Sequence, residues 1–540
     1  MNQYKSILLS AFCALILAGC GAQKQAATLS TANLTVVSAP LNITKKAPIS
    51  DDNLKRWSHL DMVTDTIPGM SVDRAYAEIL KDKIGVNVIV GVVDSGVDIT
   101  HEDLKGKIWI NSKEIPDNGI DDDNNGYIDD IHGWNFLGDV ENENVELTRI
   151  IKKGDDGSEA YKLAKADYDT QLAEALENKE QADFIFNADK TIADFLGNAA
   201  YTEAELKTVS SPKATILQSK YVMLNIIAQT GADFHGELKE YKTQVYDKLN
   251  YNLNLEMDGR KILGDNPEDI KDTKYGNNIV FGPNPTKENV LHGTHVAGII
   301  AQIRHNDLGG DGVANNVSIL VVRAVPNGDE YDKDIALGIR YAVDNGAKVI
   351  NGSFGKSYSP HKEWVYDAIK YAASKDVLIV HAAGNDGHDI DLAEYKNYPN
   401  DVDDFGNNIA NNMLTVGALN FTYDGDLVAN FSNYGTKNVD VFAPGVKIYA
   451  TVPNNEYKFE QGTSMASPNV AGVAALIRSY YPKLTAPQVK QILMDSGVTS
   501  PLTVKLGETK EVRPFAKASQ SGKMVNAYNA FLMADKMSNK

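Results

Sequence analysis

The sequence predicts an α/β fold with a mostly parallel central sheet, and two observations lead to this prediction. Near-continuous apolar runs, typical of strands buried on both faces, recur along the chain. Amphipathic stretches at helical spacing lie between several of them, as at 332–347 and 361–376. Strands that alternate with helices favour a parallel sheet covered by helices on both faces. The predicted strands lie within 86–98, 317–325, 347–355, 377–385 and 413–420.

Polar side chains follow three of these predicted strands. Asp94, Ser353 and Asn385 each come where an apolar run ends. Because the carboxyl ends of parallel strands meet at one edge of a sheet, reactive groups tend to gather there. We therefore expect these three side chains close together, at the edge where a functional site would form.

One long segment, residues 145–251, departs from the alternation of strand and helix. It is rich in Ala, Lys, Glu, Leu and Tyr, and it contains no convincing strand. Thr202 and Glu205 have the spacing of a helix capping box. We predict a helical insertion, carried by a main domain of residues 54–144 and 252–540. Its role stays open between a lid, an exosite, a docking surface and a neutral surface elaboration.

The amino terminus resembles an export signal. A lysine precedes an apolar run too short to span a bilayer comfortably, so a cleaved signal over residues 1–20 fits better than a membrane helix. Its last residues, LAGC, resemble the bacterial lipobox, in which Cys20 becomes the lipidated first residue. The alternative is an ordinary signal peptide with an incidental cysteine. We expect a lipid-anchored protein of the bacterial cell envelope, on the periplasmic or outer-membrane face, with residues 21–53 as a tether.

The composition limits the partners and covalent links of the chain. The formal net charge is −19 and the isoelectric point is about 5.0, so no nucleic-acid partner is expected. Both cysteines, Cys13 and Cys20, lie in the amino-terminal segment. With Cys13 cleaved off and Cys20 acylated, the mature chain would form no disulfide. A bound metal ion is then another source of stability.

Ser464 lies where a predicted helix begins, and it could be a nucleophile or simply a helix cap. A serine hydroxyl attacks only when a base removes its proton, and the base needs a partner that orients it. His292, which also opens a predicted helix, could be that base, with Asp94 as its partner. The side-chain amide of Asn385 could donate to a developing oxyanion. Each of these residues also has an alternative role in a turn or a cap.

The two histidines of LHGTHVAG (291–298) could instead be a metal pair. Metalloprotease helices place their zinc-binding histidines four residues apart around a glutamate, in the motif HExxH. His292 and His295 are three apart, and the residues between them are Gly and Thr. Zinc is therefore disfavoured at this position.

Three motifs resemble the signatures of one enzyme family. VVDSGVD (92–98), HGTHVAG (292–298) and GTSMASPNVAG (462–472) are similar, in this order, to the motifs of the subtilisin-like serine peptidases, the subtilases. The resemblance covers about 54–135 and 275–500. It implies a subtilisin-like three-layer fold and a monomeric serine endopeptidase that cleaves proteins or peptides through an acyl-enzyme. The roles it implies are Asp94 as the orienting carboxylate, His292 as the general base, Ser464 as the nucleophile, Asn385 as the oxyanion donor, His295 as a packing residue, and Ser353, Phe354 and Gly355 as the segment that binds substrate as an added strand.

Two other functions stay open at this point. A transpeptidase of the same fold would pass the acyl group to an amine instead of to water. A non-catalytic envelope protein would bind its partner through the helical insertion. The complete set of four chemical groups argues against the second alternative, because a binding protein has no need to keep all of them.

A calcium loop is predicted within DNGIDDDNNGYIDD (117–130). Its oxygen-bearing residues follow positions 1, 3, 5, 7 and 9 of a calcium-binding loop, and Gly126 stands at position 6, where the chain turns sharply. Position 12 is His132 instead of a bidentate glutamate, so Asp130 is the expected substitute. A solvated acidic loop is the alternative, and the resemblance to bacterial subtilases favours structural calcium. The predicted ligands are Asp121, Asp123, Asn125, Tyr127, Asp129 and Asp130.

Overall fold

The computed structural model describes residues 36–38, 49–231, 234–403 and 405–539, and these form thirteen strands and thirteen α-helices. The strands are β1 (Val88–Asp94), β2 (Gly133–Asn135), β3 (Val317–Arg323), β4 (Val349–Gly352), β5 (Leu378–Ala382), β6 (Met413–Leu419), β7 (Val441–Pro444), β8 (Ile448–Val452), β9 (Glu456–Glu460), β10 (Val498–Thr499), β11 (Thr503–Leu506), β12 (Glu511–Pro514) and β13 (Lys523–Met524). The helices are α1 (Asp51–Lys55), α2 (Val72–Ala75), α3 (Glu146–Lys153), α4 (Glu159–Leu196), α5 (Glu203–Thr208), α6 (Ala214–Thr230), α7 (Phe234–Asp247), α8 (Leu291–Ala301), α9 (Asp332–Asp344), α10 (Lys362–Ser374), α11 (Thr463–Tyr480), α12 (Ala486–Ser496) and α13 (Ala527–Ser538).

Nine strands form the central sheet, in the order β10-β13-β7-β6-β5-β4-β1-β3-β2. Every neighbouring pair runs parallel except β10 and β13. The predicted α/β fold with a mostly parallel sheet is therefore confirmed. The five predicted strands are β1, β3, β4, β5 and β6. Strands β2, β10 and β13 of this sheet were not predicted, because two or three residues are too few to stand out as an apolar run. Strand β7 was also not predicted, since its short run follows Asp440 and ends at Pro444.

Helices cover both faces of this sheet, which gives the three layers. One apolar core joins the sheet to α8, α11, α12 and α13, and a second joins it to α9 and α10. The alternation of side chains along β1 serves both cores, since Val92 belongs to the first and Val93 to the second. Helix α11 is buried along most of its length because small Ala, Gly and Val side chains let the sheet approach it closely.

The register of the sheet brings three strand ends to one edge. Val93 of β1 pairs with Gly352 of β4, and Gly352 pairs with His381 of β5. Asp94, the last residue of β1, Ser353, which follows β4, and the segment that leads from β5 to Asn385 therefore lie side by side at the edge of the sheet. This edge is the place that the sequence predicted for a functional site.

Helices α3 to α7 follow one another within the segment predicted as a helical insertion. Helix α4 has 38 residues and packs against α3 near its start, and against α6 and α7 farther along. Thr202 and Glu205 form the predicted capping box at the start of α5. The apolar cluster at the base of the insertion contains Leu147, Tyr168 and Leu253, and Tyr358 of the main domain packs against it.

The amino-terminal predictions fall mostly outside the described residues, including the signal over residues 1–20 with Cys20. Within the predicted tether, Val37 is buried, and its backbone exchanges two hydrogen bonds with the side chain of Asn529 on α13. Helix α1 begins at Asp51, where Ser50 caps it. No helix in the described part of the chain is long and apolar enough to cross a membrane.

Candidate active site

Asp94 and His292 meet because the end of β1 faces the start of α8. Asp94 is 1% exposed, and its Oδ1 lies 2.7 Å from Nδ1 of His292. Ser95 supports both groups, since its backbone N–H donates to Asp94 Oδ1 and its hydroxyl accepts from the N–H of Gly293. The carboxylate thus holds the imidazole through Nδ1, which leaves Nε2 available to act in the cleft.

Two opposing effects set the pKa of His292. Burial lowers it because desolvation disfavours the imidazolium, whereas the charge and hydrogen bond of Asp94 raise it. The balance leaves the pKa above its ordinary value of 6.5. An imidazole that is stabilised when protonated can accept a proton during a reaction and hold the resulting charge.

His295 lies one helical turn beyond His292 and is fully buried. Its Nε2 is 3.1 Å from the carbonyl oxygens of both Ile448 and Lys458. Burial lowers its pKa to about 4, so this ring stays neutral at ordinary pH. His295 therefore joins α8 to the β8–β9 hairpin, in agreement with the packing role that the resemblance implied.

Ser464 lies in the first turn of α11 and exchanges two hydrogen bonds with Ser353. Its Oγ donates to the Ser353 carbonyl at 3.2 Å, and the Ser353 hydroxyl donates to the Ser464 carbonyl at 2.8 Å. Among the hydrogen bonds of the described residues, none joins Ser464 Oγ to His292. A rotation about the Cα–Cβ bond of Ser464 redirects the hydroxyl, and such catalytic contacts often tighten only when substrate is bound.

Asn385 is oriented by Thr463, the residue before Ser464. Its Oδ1 accepts hydrogen bonds from the Thr463 backbone N–H at 2.8 Å and from the Thr463 hydroxyl at 2.9 Å. These two donors fix the amide, so that Nδ2 is left to donate. A methyl group placed on Gly462 would lie 3.5 Å from Asn385 Nδ2 and 3.6 Å from the Ser464 backbone nitrogen. Both nitrogens thus border the same space, as an oxyanion hole requires.

The predicted substrate-binding segment borders the same space. Ser353, Phe354 and Gly355 follow β4 and line one cleft with Asp94, His292, Asn385 and Ser464. The volume of this cleft is about 1390 Å³, larger than a typical small-molecule pocket and large enough for a peptide segment. The structure therefore brings together all four residues predicted to be catalytic and all three predicted to bind substrate.

Three residues that were not predicted from the sequence hold these groups in place. They are Ser95 and Thr463, described above, and Asn351. The Asn351 side chain donates to the Ser353 hydroxyl and accepts from Ser467, and it is fully buried. A signal was present in each case, because each is a polar residue within two positions of a predicted reactive residue and lies at the end of an apolar strand or beside a helix start.

The acidic loop at 117–130 brings two of its predicted ligands together with a third residue. Carboxylate oxygens of Glu114, Asp121 and Asp123 lie within 4.8 Å of one another. Glu114 precedes the predicted loop and was missed, since it falls outside the spacing of the calcium-loop pattern. Such a set of carboxylate oxygens fits a hard cation such as Ca²⁺.

The other predicted ligands are engaged in hydrogen bonds within the protein, as Asp121 and Asp123 also are through the backbone N–H groups of Asn125 and Gly126. Both carboxylate oxygens of Asp129 accept backbone N–H groups, those of Asn118 and Gly119. Asp130 accepts from Asn111, Asn125 and Tyr341, and these contacts use both of its oxygens. The Tyr127 ring packs among other aromatic rings, which leaves its backbone as the part available to the loop.

Comparisons with known proteins agree with the motifs. The sequence profile of the subtilase family matches residues 85–513. The chain is 44% identical over 191 residues to the thermophilic serine proteinase of Bacillus sp. strain AK1, which covers 35% of this chain and 42% of that protein. It is 40% identical over 222 residues to the cell wall-associated protease of Bacillus subtilis, covering 41% of this chain and 23% of that protein.

Among solved structures, a protease from Pseudoalteromonas arctica shares 30% sequence identity, with a TM-score of 0.37, over 45% of this chain and 70% of that one. The chain spans less than half the length of the curated relatives named above. The family profile covers most of the chain, and its range includes all three motifs. The chain belongs to the subtilase family.

Proposed function

We propose that the chain is a serine endopeptidase that hydrolyses peptide bonds in proteins through an Asp94–His292–Ser464 triad. The observation that carries this proposal is the 2.7 Å contact between Asp94 and His292 at one end of a cleft that Ser464 and Asn385 also line. Membership of the subtilase family supports the same activity. Chemistry of this kind needs a base, a nucleophile and an oxyanion donor within reach of one carbonyl group.

The reaction follows from the positions of these groups. An extended substrate segment pairs with residues 353–355, which sets its scissile carbonyl beside Ser464. Neutral His292 Nε2 takes the hydroxyl proton as Ser464 Oγ bonds to the carbonyl carbon, and Asp94 stabilises the imidazolium. Asn385 Nδ2 and the Ser464 backbone N–H hold the oxyanion. His292 then gives its proton to the leaving amine, which leaves an acyl-enzyme on Ser464. Water attacks this acyl-enzyme by the same steps, which releases the carboxylic acid product and regenerates Ser464.

A serine-directed phosphonate tests this proposal directly. We expect it to label the protein at Ser464, to stop turnover of casein, and to leave a Ser464→Ala variant unlabelled. Labelling of that variant would contradict the assignment of the nucleophile. Mass spectrometry of the products separates hydrolysis from ligation, so joined peptides would identify a transpeptidase.

Calcium binding is proposed for the acidic loop as a structural function. The carboxylates of Glu114, Asp121 and Asp123 would hold the ion with neighbouring loop oxygens, and its charge would offset their mutual repulsion. The ion would stiffen a loop that leads into β2, at the edge of the central sheet.

We also propose that Cys20 is lipidated, so that a monomeric enzyme is held at the bacterial cell envelope. The proposal rests on LAGC after an apolar run. Metabolic labelling with a fatty acid should mark the protein and fail to mark a Cys20→Ser variant. Labelling of both would contradict it.

A further inference from the structure

The helical insertion meets the catalytic domain on the histidine side of the cleft. We call α4 and α7 the helical roof, because residues from both helices line the same cleft as Ser464. On α7, Lys239 Nζ lies 3.1 Å from Glu288, and the neighbouring Glu240 pairs with Lys458. Two adjacent residues of the roof therefore hold two separate segments of the catalytic domain.

Both of these segments flank the catalytic histidine. Glu288 lies in the 3₁₀ turn that leads directly into α8, four residues before His292. Lys458 lies on β9, and its carbonyl oxygen receives a hydrogen bond from His295 on the same helix as His292. The ion pairs of α7 thus connect the roof to two segments that adjoin α8, the helix of the general base.

The roof also reaches the opposite wall of the cleft. Asp167 of α4 accepts a hydrogen bond from the Tyr358 hydroxyl at 2.5 Å, and Tyr358 lies three residues beyond the substrate-binding segment 353–355. Asp247, at the end of α7, accepts from the side chain of Asn327 at 2.7 Å. Contacts on both walls mean that the roof spans the cleft instead of standing beside it.

The insertion is attached more firmly at its base, where α3 meets the main domain, than on the histidine side of the cleft. At the base, buried Glu146 on α3 binds Arg149 and Lys356, and Arg149 also donates to the backbone of Asp329 and Glu330. On the histidine side, Lys239 and Glu288 are 72% and 63% exposed. Lys458 and Glu240 are 29% and 49% exposed, so both pairs are open to solvent. Exposed pairs are weak and are screened by salt, whereas a satisfied buried network rigidifies the elements it joins.

We propose that the helical roof selects substrates, admitting a single extended polypeptide segment to Ser464 and excluding folded proteins while the two α7 ion pairs hold it over the cleft. This inference rests on the proposed peptidase function. A short or unfolded chain fits beneath the closed roof. A folded protein requires the roof to lift on its histidine side, so its turnover scales with the fraction of molecules whose roof is open.

The test is a charge exchange on α7, Lys239→Glu with Glu240→Lys. It keeps the net charge and places two like charges against each other in both pairs. The substrates are a short chromogenic peptide and one compact disulfide-bonded protein, used native and also reduced and alkylated. We expect the exchange to raise kcat/KM for the native protein about three- to tenfold, the scale of two exposed ion pairs, with the peptide and alkylated protein unchanged. Adding Glu288→Lys and Lys458→Glu restores opposite charges and should reverse the gain.

The matched control is Lys190→Glu, which breaks an exposed pair with Asp194 on the far part of α4, away from the cleft. It should leave all three rates unchanged. The roof proposal would be overturned if the unmodified enzyme cleaved the native and the alkylated protein substrate at equal rates. It would also be overturned if the charge exchange changed the rates for all three substrates equally. Failure of the peptidase proposal looks different, because then none of the three substrates is cleaved by any variant.

Discussion

The carbonyl oxygen of Ser464 accepts a hydrogen bond from the hydroxyl of Ser353, at 2.8 Å, and Pro468 makes that contact possible. In a regular helix this carbonyl would accept the backbone N–H four residues later, but that residue is Pro468, which has none. The proline inside α11 thus leaves the carbonyl of Ser464, the proposed nucleophile, to the side chain of Ser353 in the proposed substrate-binding segment. The position of Ser464 is thereby tied to β4 as well as to its helix.

Replacing Ser353 with alanine tests this tie. The variant leaves the Ser464 carbonyl and the Asn351 amide without this partner, so we expect about 1 kcal/mol less stability and a severalfold lower kcat. Ser479→Ala is the matched control, because Ser479 is also buried and donates to a backbone carbonyl, that of Val86, away from the cleft. Thermal unfolding and peptide turnover measure both effects. An equal fall in kcat for the two variants would show that the tie has no special role.

The pH dependence of the reaction should report the pKa of His292. Because Asp94 raises that pKa above 6.5, we expect kcat/KM to rise with pH through a value above 6.5, as the base becomes neutral. The raised pKa also means that protonated His292 stabilises the fold at low pH. That contribution is lost as the pH rises through the same value.

The Asp94→Asn variant checks the cause of this pKa. It should move the pH midpoint of kcat/KM downward and lower kcat by about 10⁴-fold, since the imidazole loses the carboxylate that orients it and stabilises its charge. An unchanged midpoint would mean that Asp94 does not control the base. Circular dichroism establishes that the variant is folded.

Removing Asn385, the proposed oxyanion donor, should affect kcat more than KM. Asn385→Ala is expected to lower kcat by about 10²- to 10³-fold with little change in KM, because the amide acts on charge that develops in the transition state. Thr463→Val removes the hydroxyl that orients Asn385 and should lower kcat by a smaller factor than Asn385→Ala does. Thr463→Ser keeps that hydroxyl and should leave kcat close to that of the unmodified enzyme. A rise in KM alone would identify Asn385 as a substrate-binding group instead.

Removal of calcium should lower the melting temperature. A chelator is expected to lower it by several degrees, and added calcium to restore it, because an ion bound only by the folded state stabilises that state. Asp121→Asn and Glu114→Gln should weaken the calcium response. Asp117→Asn is the control, since it removes one exposed charge from the same loop at a positive φ that asparagine tolerates. No response to the chelator in the unmodified protein would contradict the proposal.

Much of the fold and of the site could be predicted from local patterns. Strands β1, β3, β4, β5 and β6 could be predicted from apolar runs, because strands buried on both faces have little polar sequence. The proposed catalytic residues Asp94, His292 and Ser464 lie in short motifs at the ends of such runs or at helix starts. Glu114 gave no signal, since it joins Asp121 and Asp123 through the path of a loop and not through a fixed spacing.

The sequence by itself determined the class of fold, the edge of the sheet where the site forms, and the chemical groups available there. Only the tertiary structure decided how those groups are held and what covers them. Lys239 and Glu240 look like ordinary surface charges on a helix until α7 is packed across the cleft beside Glu288 and Lys458. Such contacts join residues far apart in the chain, and they depend on how whole helices pack, which no local pattern of residues encodes.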